Sequence, residues 1–113
     1  MKFIYTLLVA LATVVTNAQT VTTFLNSNSA DVDDAMTLDS QGNLYGSSFY
    51  AGTVTKIAPD GTVSNFVSGL AWANGLAVDS EDNIYVCEYL DESINKYDND
   101  GNLIAKMPLG SGY

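Results

Sequence analysis

Short apolar segments alternate with turn residues from residue 35 onwards, and this pattern predicts β-strands. The predicted strands are Ala35–Asp39, Leu44–Phe49, Thr53–Ala58, Val63–Val67, Gly75–Asp79, Ile84–Tyr89, Ser93–Asp98 and Leu103–Pro108. The segments between them are rich in Gly, Asn, Asp and Ser, which favour turns, and two of them contain Asp-Gly, a strong hairpin signal. No helical period of apolar residues persists beyond residue 18, so we predict an all-β fold.

The strand pattern repeats with a period of forty residues. The segment Leu38–Tyr45 (LDSQGNLY) returns as Val78–Tyr85 (VDSEDNIY), and Lys56 returns as Lys96 in the same register. A repeat of about 40 residues with four strands is typical of one β-propeller blade. We therefore predict a first blade over residues 34–69 and a second over residues 74–109, with the repeated Tyr45 and Tyr85 packed between blades.

Residues 19–28 add a single predicted strand ahead of the first blade. Its Thr20–Phe24 is similar to Thr62–Phe66, the fourth strand of the first blade. Such an orphan outer strand would complete the last blade of a closed ring and protect its sheet edge. Because a ring needs about 4–8 blades, residues 19–113 form an incomplete propeller. Either the sequence belongs to a longer chain, which we favour, or several copies assemble.

The first 18 residues have the features of a secretory signal. Lys2 precedes the apolar run Phe3–Val15, and Thr16–Ala18 ends in small residues that suit cleavage after Ala18. The alternative is a membrane anchor, but the run is shorter than the ~20 apolar residues that span a bilayer. We therefore expect a secreted, extracellular or periplasmic protein with no membrane span after cleavage.

Charge and composition narrow the set of partners and chemistries. Thirteen acidic residues against four basic ones give a net charge of −9, which disfavours nucleic acid and anionic lipid. This leaves an extracellular small molecule or protein as the expected partner. The single cysteine, Cys87, cannot form an intrachain disulfide, and its apolar context predicts a buried small hydrophobe. With no histidine in the chain, the usual catalytic triads and zinc motifs are absent.

The repeat resembles known propeller families. Gly75–Val86 (GLAVDSEDNIYV) resembles an NHL repeat, and it is similar to blades of the gluconolactonase (senescence marker protein), strictosidine-synthase-like and streptogramin-lyase-like proteins. The resemblance covers nearly all of the chain after residue 18 and implies a six-bladed, TolB-like propeller. It leaves the activity open, because this fold has many functions.

The resemblance to gluconolactonases also implies a metal site. In that family, acidic and Asn side chains just before the innermost strands hold a metal in the central channel. Asn74 stands here in an Asn-Gly-Leu motif that matches the family, and Asp34 lies one period earlier, where the family has a Glu ligand. The resemblance thus implies Asp34 and Asn74 as ligands of calcium or another divalent metal, which takes oxygen ligands. The alternative is structural: Asn-Gly is an ordinary turn pair, and Asp33-Asp34 then belongs to a solvated loop.

Residues that break the repeat are the other candidates for function. Trp72 has no counterpart in the first blade and lies on the predicted loop that leads into an innermost strand, on the same face as Asn74. We predict that it contacts a ligand, with loop packing as the alternative. The paired Asp39 and Asp79 recur with the blade, so we interpret them as turn caps.

Two functional hypotheses follow from these features. The first is a secreted binding scaffold for a small molecule or protein, because the repeat is clear and catalytic residues are missing. The second is the N-terminal part of a calcium-dependent hydrolase of lactones or esters. A lyase of the streptogramin type is a third option that no residue of this chain supports.

Overall fold

The computed structural model describes residues 30–110, and all regular structure in them is β. The strands are β1 (Met36–Leu38), β2 (Leu44–Ser48), β3 (Thr53–Ile57), β4 (Val63–Val67), β5 (Ala73–Val78), β6 (Ile84–Glu88), β7 (Ser93–Tyr97) and β8 (Leu103–Pro108). All eight predicted strands are confirmed, with ends that differ by at most two residues. The predicted signal at residues 1–18 and the predicted orphan strand at 19–28 lie outside the described residues.

The strands form two four-stranded antiparallel sheets with simple up-and-down order. Blade 1 is β1-β2-β3-β4, and blade 2 is β5-β6-β7-β8. The sheets meet where β5 lies against β1 and β2, so the first strand of each sheet forms the inner edge and the last strand the outer edge. This is the arrangement of neighbouring propeller blades, which confirms the predicted fold class. No helix in the described part of the chain is long and apolar enough to cross a bilayer.

The hydrophobic core lies between the two blades. Its buried members are Tyr45, Val54, Val67, Ala73, Ile84, Val86 and Tyr97. The Phe66 ring of blade 1 packs edge-on against Tyr45, with ring centroids 5.0 Å apart, and against Tyr97 of blade 2 at 6.1 Å. Tyr45 therefore packs between blades, as its place in the repeat predicts.

A buried carboxylate organises the β1–β2 turn. Asp39 Oδ1 accepts hydrogen bonds from the amides of Gln41 (3.0 Å) and Asn43 (2.9 Å), and Oδ2 accepts from the Asn43 side chain and the Tyr45 hydroxyl. Burial alone would raise the pKa of Asp39, but these bonds outweigh it and lower the pKa to about 2. Asp79 makes the corresponding bonds in blade 2. The interpretation of both residues as turn caps is confirmed.

Candidate functional site

The candidate residues gather at one end of the two sheets. In an antiparallel blade, the β2–β3 turn lies at the same end as the segment that leads into the next blade. This end, which we call the loop end, holds the residues before β1, the turns 49–52 and 89–92, and the connection 68–72. Asp34, Trp72 and Asn74 all lie here.

Four aromatic side chains form a cluster at the loop end. The aromatic cluster consists of Phe49, Tyr50, Trp72 and Tyr89, contributed by three separate connections. The Trp72 ring stacks on Tyr89 at 6.0 Å and 17°, and it lies 5.2 Å from Phe49 and 5.6 Å from Tyr50. Tyr50 is 79 % exposed and Tyr89 60 % exposed, so part of the cluster's apolar surface faces solvent.

The backbone holds Trp72 in a conformation that is uncommon for a large side chain. Its φ is 62°, in the left-handed region that costs about 1 kcal/mol or more for a residue other than glycine. The Trp72 carbonyl accepts the amide of Tyr89 (3.0 Å), and the Ala71 carbonyl accepts that of Leu90 (3.1 Å). Bonds from the neighbouring turn thus hold the strained loop in place. Strain of this kind is concentrated at functional sites.

Asp34 and Asn74 occupy equivalent irregularities in the inner strands. In blade 2 the register shifts between Ala73 and Leu76, so Asn74 and Gly75 both face Cys87 across β6. In blade 1 the amides of Asp33 and Asp34 both donate to the Ser47 carbonyl, at 3.1 and 3.2 Å. Both positions are therefore β-bulges, which redirect side chains at the ends of strands. Asp34 is exposed and Asn74 half-buried.

The donor set at these bulges is too small to hold a cation by itself. Calcium takes about 6–8 oxygen ligands, whereas only Asp34 and Asn74 are available at the two bulges. The neighbouring Asp33 is committed to its own loop, since its carboxylate accepts the Ser48 hydroxyl (3.1 Å) and the Phe49 amide (2.8 Å). Residues 30–110 contain no group of three or more His, Cys, Asp or Glu side chains placed to share a metal.

Glu88 is a buried carboxylate that our sequence reasoning missed. It is 7 % exposed, and it accepts hydrogen bonds from the Ala71 amide (2.8 Å) and from the Asn95 side chain. The Asn95 side chain also donates to the Tyr97 hydroxyl at 3.2 Å. Burial, supported by the Glu88 charge, raises the pKa of the Tyr97 phenol even though the Asn95 bond opposes it. Glu88 therefore ties the Trp72 loop to β7. The sequence does mark Glu88 by a break in the repeat, because the corresponding residue of blade 1 is Ser48.

A groove of about 670 Å³ adjoins the aromatic cluster. Its lining includes Asn74, Glu88, Tyr89 and Glu92, so it combines amide and carboxylate groups with one ring of the cluster. Cys87 also lines it and is only half-buried, which corrects the prediction of a buried residue. No histidine accompanies these groups, because the sequence contains none.

Comparison with known proteins identifies the fold class. No family model and no curated protein matches the chain by sequence, but solved β-propellers resemble it in structure. A streptogramin B lyase gives a TM-score of 0.66 at 20 % identity over 78 % of this chain. Regucalcin from Agrobacterium tumefaciens, a calcium-binding protein, gives a TM-score of 0.62 at 19 % identity over 69 % of this chain. A gluconolactonase from Xanthomonas campestris gives a TM-score of 0.54 at 26 % identity over 68 % of this chain.

These similarities establish the β-propeller fold. They include the gluconolactonase-like and streptogramin-lyase-like propellers that the repeat resembles. The chain spans less than a third of each structure, namely 30 % of the lyase, 30 % of regucalcin and 28 % of the gluconolactonase. The activities of those proteins therefore bear on this chain only as hypotheses.

Proposed function

We propose that the chain is part of a secreted β-propeller that serves as a binding scaffold, with its loop end taking up a small organic ligand. The observation that carries this proposal is the aromatic cluster beside the groove. The exposed rings of Tyr50 and Tyr89 pack on Trp72, which a strained loop holds in place. They offer a preformed apolar surface, and preformed surfaces bind with less loss of entropy. The basic, apolar start of the sequence supports secretion.

The chemistry of the site favours a ligand with an apolar or aromatic face. Trp72 and Tyr89 present parallel rings, and Tyr50 adds a ring at 75° to Trp72. Aromatic contacts of this type contribute about 0.5–1.5 kcal/mol each beyond the buried area. The carboxylates of Glu88 and Glu92 make the adjoining groove acidic, so a neutral or cationic ligand suits it better than an anionic one.

Replacing Tyr50 tests the role of the aromatic cluster in binding. The probe is N-phenyl-1-naphthylamine, a neutral aromatic fluorophore that accepts energy from Trp72, the only tryptophan. We expect Tyr50→Ala to weaken its binding about fivefold, which corresponds to about 1 kcal/mol for one lost ring contact. The measurement is a fluorescence titration of the full chain.

Leu38→Ala is the matched control for this titration. Leu38 is also a large exposed apolar residue, at 60 %, but it ends β1 at the opposite end of the sheet. Its removal should leave probe affinity unchanged. Equal effects of the two substitutions would mean that the probe binds exposed apolar surface in general, and the proposed site would be abandoned.

The alternative function is that of the N-terminal part of a calcium-dependent lactone or ester hydrolase. The equivalent bulges at Asp34 and Asn74 favour it, together with the structural likeness to a regucalcin and a gluconolactonase. It requires further ligands from outside the described residues. If it is correct, calcium should bind the chain weakly, and Asp34→Asn should weaken binding by about tenfold, because a charged oxygen ligand is lost.

Calorimetric titration with calcium measures this effect, and Asp60→Asn is its control. Asp60 is an exposed carboxylate in the β3–β4 turn, at the end of the sheet away from Asp34. Unchanged calcium binding in Asp34→Asn, or the same loss in both variants, would remove Asp34 from the ligand set.

A further inference from the structure

The groove beside the aromatic cluster carries negative charge. Glu88 and Glu92 both line it, and Glu92 is exposed whereas Glu88 is only 7 % exposed. The nearby Lys106 pairs with Asp91, and within residues 30–110 no lysine forms an ion pair with either glutamate. The groove therefore attracts a positive charge from solution.

The aromatic cluster borders this charged groove through one of its rings. Tyr89 stacks on Trp72 and also lines the groove, so its ring and the Glu92 carboxylate adjoin the same space. Tyr89 is 60 % exposed, which leaves ring surface open to a ligand. Tyrosine and tryptophan rings attract cations that lie over their faces. A cation at this border thus interacts with a ring and with a carboxylate together.

Two other tyrosines of the chain already have a cation over their rings. The Lys56 Nζ lies 5.6 Å from the centroid of the Tyr45 ring, and the Lys96 Nζ lies 5.3 Å from that of Tyr85. In the part of the chain that the structure describes, no lysine lies over a ring of the aromatic cluster. A cation at the cluster therefore has to come from a ligand.

The hydrogen bonds of Glu88 favour a cation without N–H groups. One oxygen of its carboxylate accepts the Ala71 amide at 2.8 Å, and the other accepts the Asn95 side chain. Glu88 thus contributes negative potential while both of its oxygens already have donors. The rings are weak acceptors, so a primary ammonium ion over them would lose hydrogen bonds to water, which is costly. A quaternary ammonium ion has no N–H group to satisfy.

We propose, on the basis of the binding function proposed above, that the ligand of the loop end is an organic cation whose quaternary ammonium group lies over the Tyr89 ring, next to Glu92. Its methyl groups contact the ring, and the carboxylates of Glu88 and Glu92 supply the opposite charge. The charge and the chemical class of the ligand are thereby added to the proposed function.

A comparison of choline with 3,3-dimethyl-1-butanol tests this assignment. The two molecules have the same shape, but the alcohol has carbon in place of the charged nitrogen. We expect choline to bind the full chain with a Kd about fivefold lower than that of the alcohol, because only choline interacts electrostatically with the ring and the carboxylates. Emission of Trp72, the only tryptophan, follows both titrations at constant ionic strength, since added salt screens the charges.

Three variants locate the cation. Glu92→Gln removes one charge from the groove and keeps the size of the side chain, so it should raise the Kd of choline about threefold and leave that of the alcohol unchanged. Glu81→Gln is the matched control, because it removes the same charge from an exposed side chain in the β5–β6 turn, at the opposite end of the sheet. Tyr89→Leu retains an apolar side chain and should abolish the preference for choline over the alcohol.

Several results would overturn the cation while leaving the proposed binding function in place. These are equal affinities for choline and the alcohol, or no response to either while N-phenyl-1-naphthylamine still binds. Equal losses in Glu92→Gln and Glu81→Gln would show that choline is attracted to the acidic chain in general, and a preference that survives Tyr89→Leu would place the cation elsewhere. Failure of the proposed function itself appears separately, as equal effects of Tyr50→Ala and Leu38→Ala on N-phenyl-1-naphthylamine.

Discussion

Gly52→Ala should destabilise the chain by about 3 kcal/mol or more, because its added Cβ has no space. The Cβ would lie 2.2 Å from the Leu70 carbonyl oxygen, a backbone atom, at a φ of 63°. The Gly52 carbonyl also accepts the Leu70 amide at 3.0 Å, so relief of the clash breaks this bond. Because Leu70 precedes Trp72, we also expect a shift in tryptophan emission. Denaturant unfolding followed by fluorescence measures both effects.

Gly61→Ala separates the clash from the backbone strain. Gly61 also has a positive φ, 87°, but an added Cβ there meets nothing within 4 Å. The loss of stability in Gly61→Ala should be limited to about 1 kcal/mol, the usual cost of a left-handed alanine. The tryptophan emission should be unchanged. Similar losses at both glycines would show that the Leu70 contact does not limit this turn.

Asp39→Asn should remove a stabilisation that depends on pH. The pKa of Asp39 is about 2 in the folded chain against 3.8 for a free side chain, so folding favours the carboxylate. This contributes about 2 kcal/mol to the free energy of unfolding, fully present above pH about 4 and lost as the pH falls through about 2. Asp39→Asn should lack this contribution at neutral pH. The difference in the free energy of unfolding between the variant and the parent chain should vanish near pH 2. Denaturant unfolding at a series of pH values measures it.

Asp79→Asn is the matched control in the second blade. Hydrogen bonds from the Asn83 amide, opposed by burial, lower the pKa of Asp79 in the same direction. However, Asp79 is only half-buried, and no described residue donates to it from another blade as Asn99 does to Asp39. Although the pKa of Asp79 is lowered further and Lys96 pairs with it at 3.5 Å, solvent screens interactions at this half-buried position. We therefore expect a smaller loss of stability than for Asp39→Asn. A loss of equal size would mean that the turn cap alone, without burial between blades, sets the stability.

The strands were predictable because each is a local feature. Their alternation, their turns and the forty-residue repeat all indicate the same boundaries, and agreement between such signals is typical of foldable sequences. The one shift of two residues is at β5, which begins at Ala73 instead of Gly75. The Asn-Gly pair suggested a turn, but it forms a bulge that keeps the strand paired. Whether an Asn-Gly pair forms a turn or a bulge depends on whether a neighbouring strand is present to pair with it.

The candidate site was only partly predictable because it depends on packing between distant segments. Trp72 was identified by its break in the repeat, whereas Phe49 and Tyr89 repeat one another and carry no such signal. Only the docking of the blades brings these rings to within about 6 Å. Glu88 was identifiable, since it interrupts an apolar strand where blade 1 has a serine. Its partners, however, come from other elements: Ala71 from the connection 68–72 and Asn95 from β7.

The side-chain hydrogen bonds that join blade 1 to blade 2 close long loops of the chain. These bonds join residues 42 and 54 positions apart, Ser40 with Asp82 and Tyr45 with Asn99, whereas hairpin partners within a blade are about ten apart. Because closure entropy grows only with the logarithm of loop length, the longer loops cost about 1.5 kcal/mol more than the hairpins. A duplicated blade can regain that amount with one or two bonds to its predecessor. The substitutions that separate Asp82 from Gly42 and Asn99 from Pro59 would then give each copy its fixed place in the series.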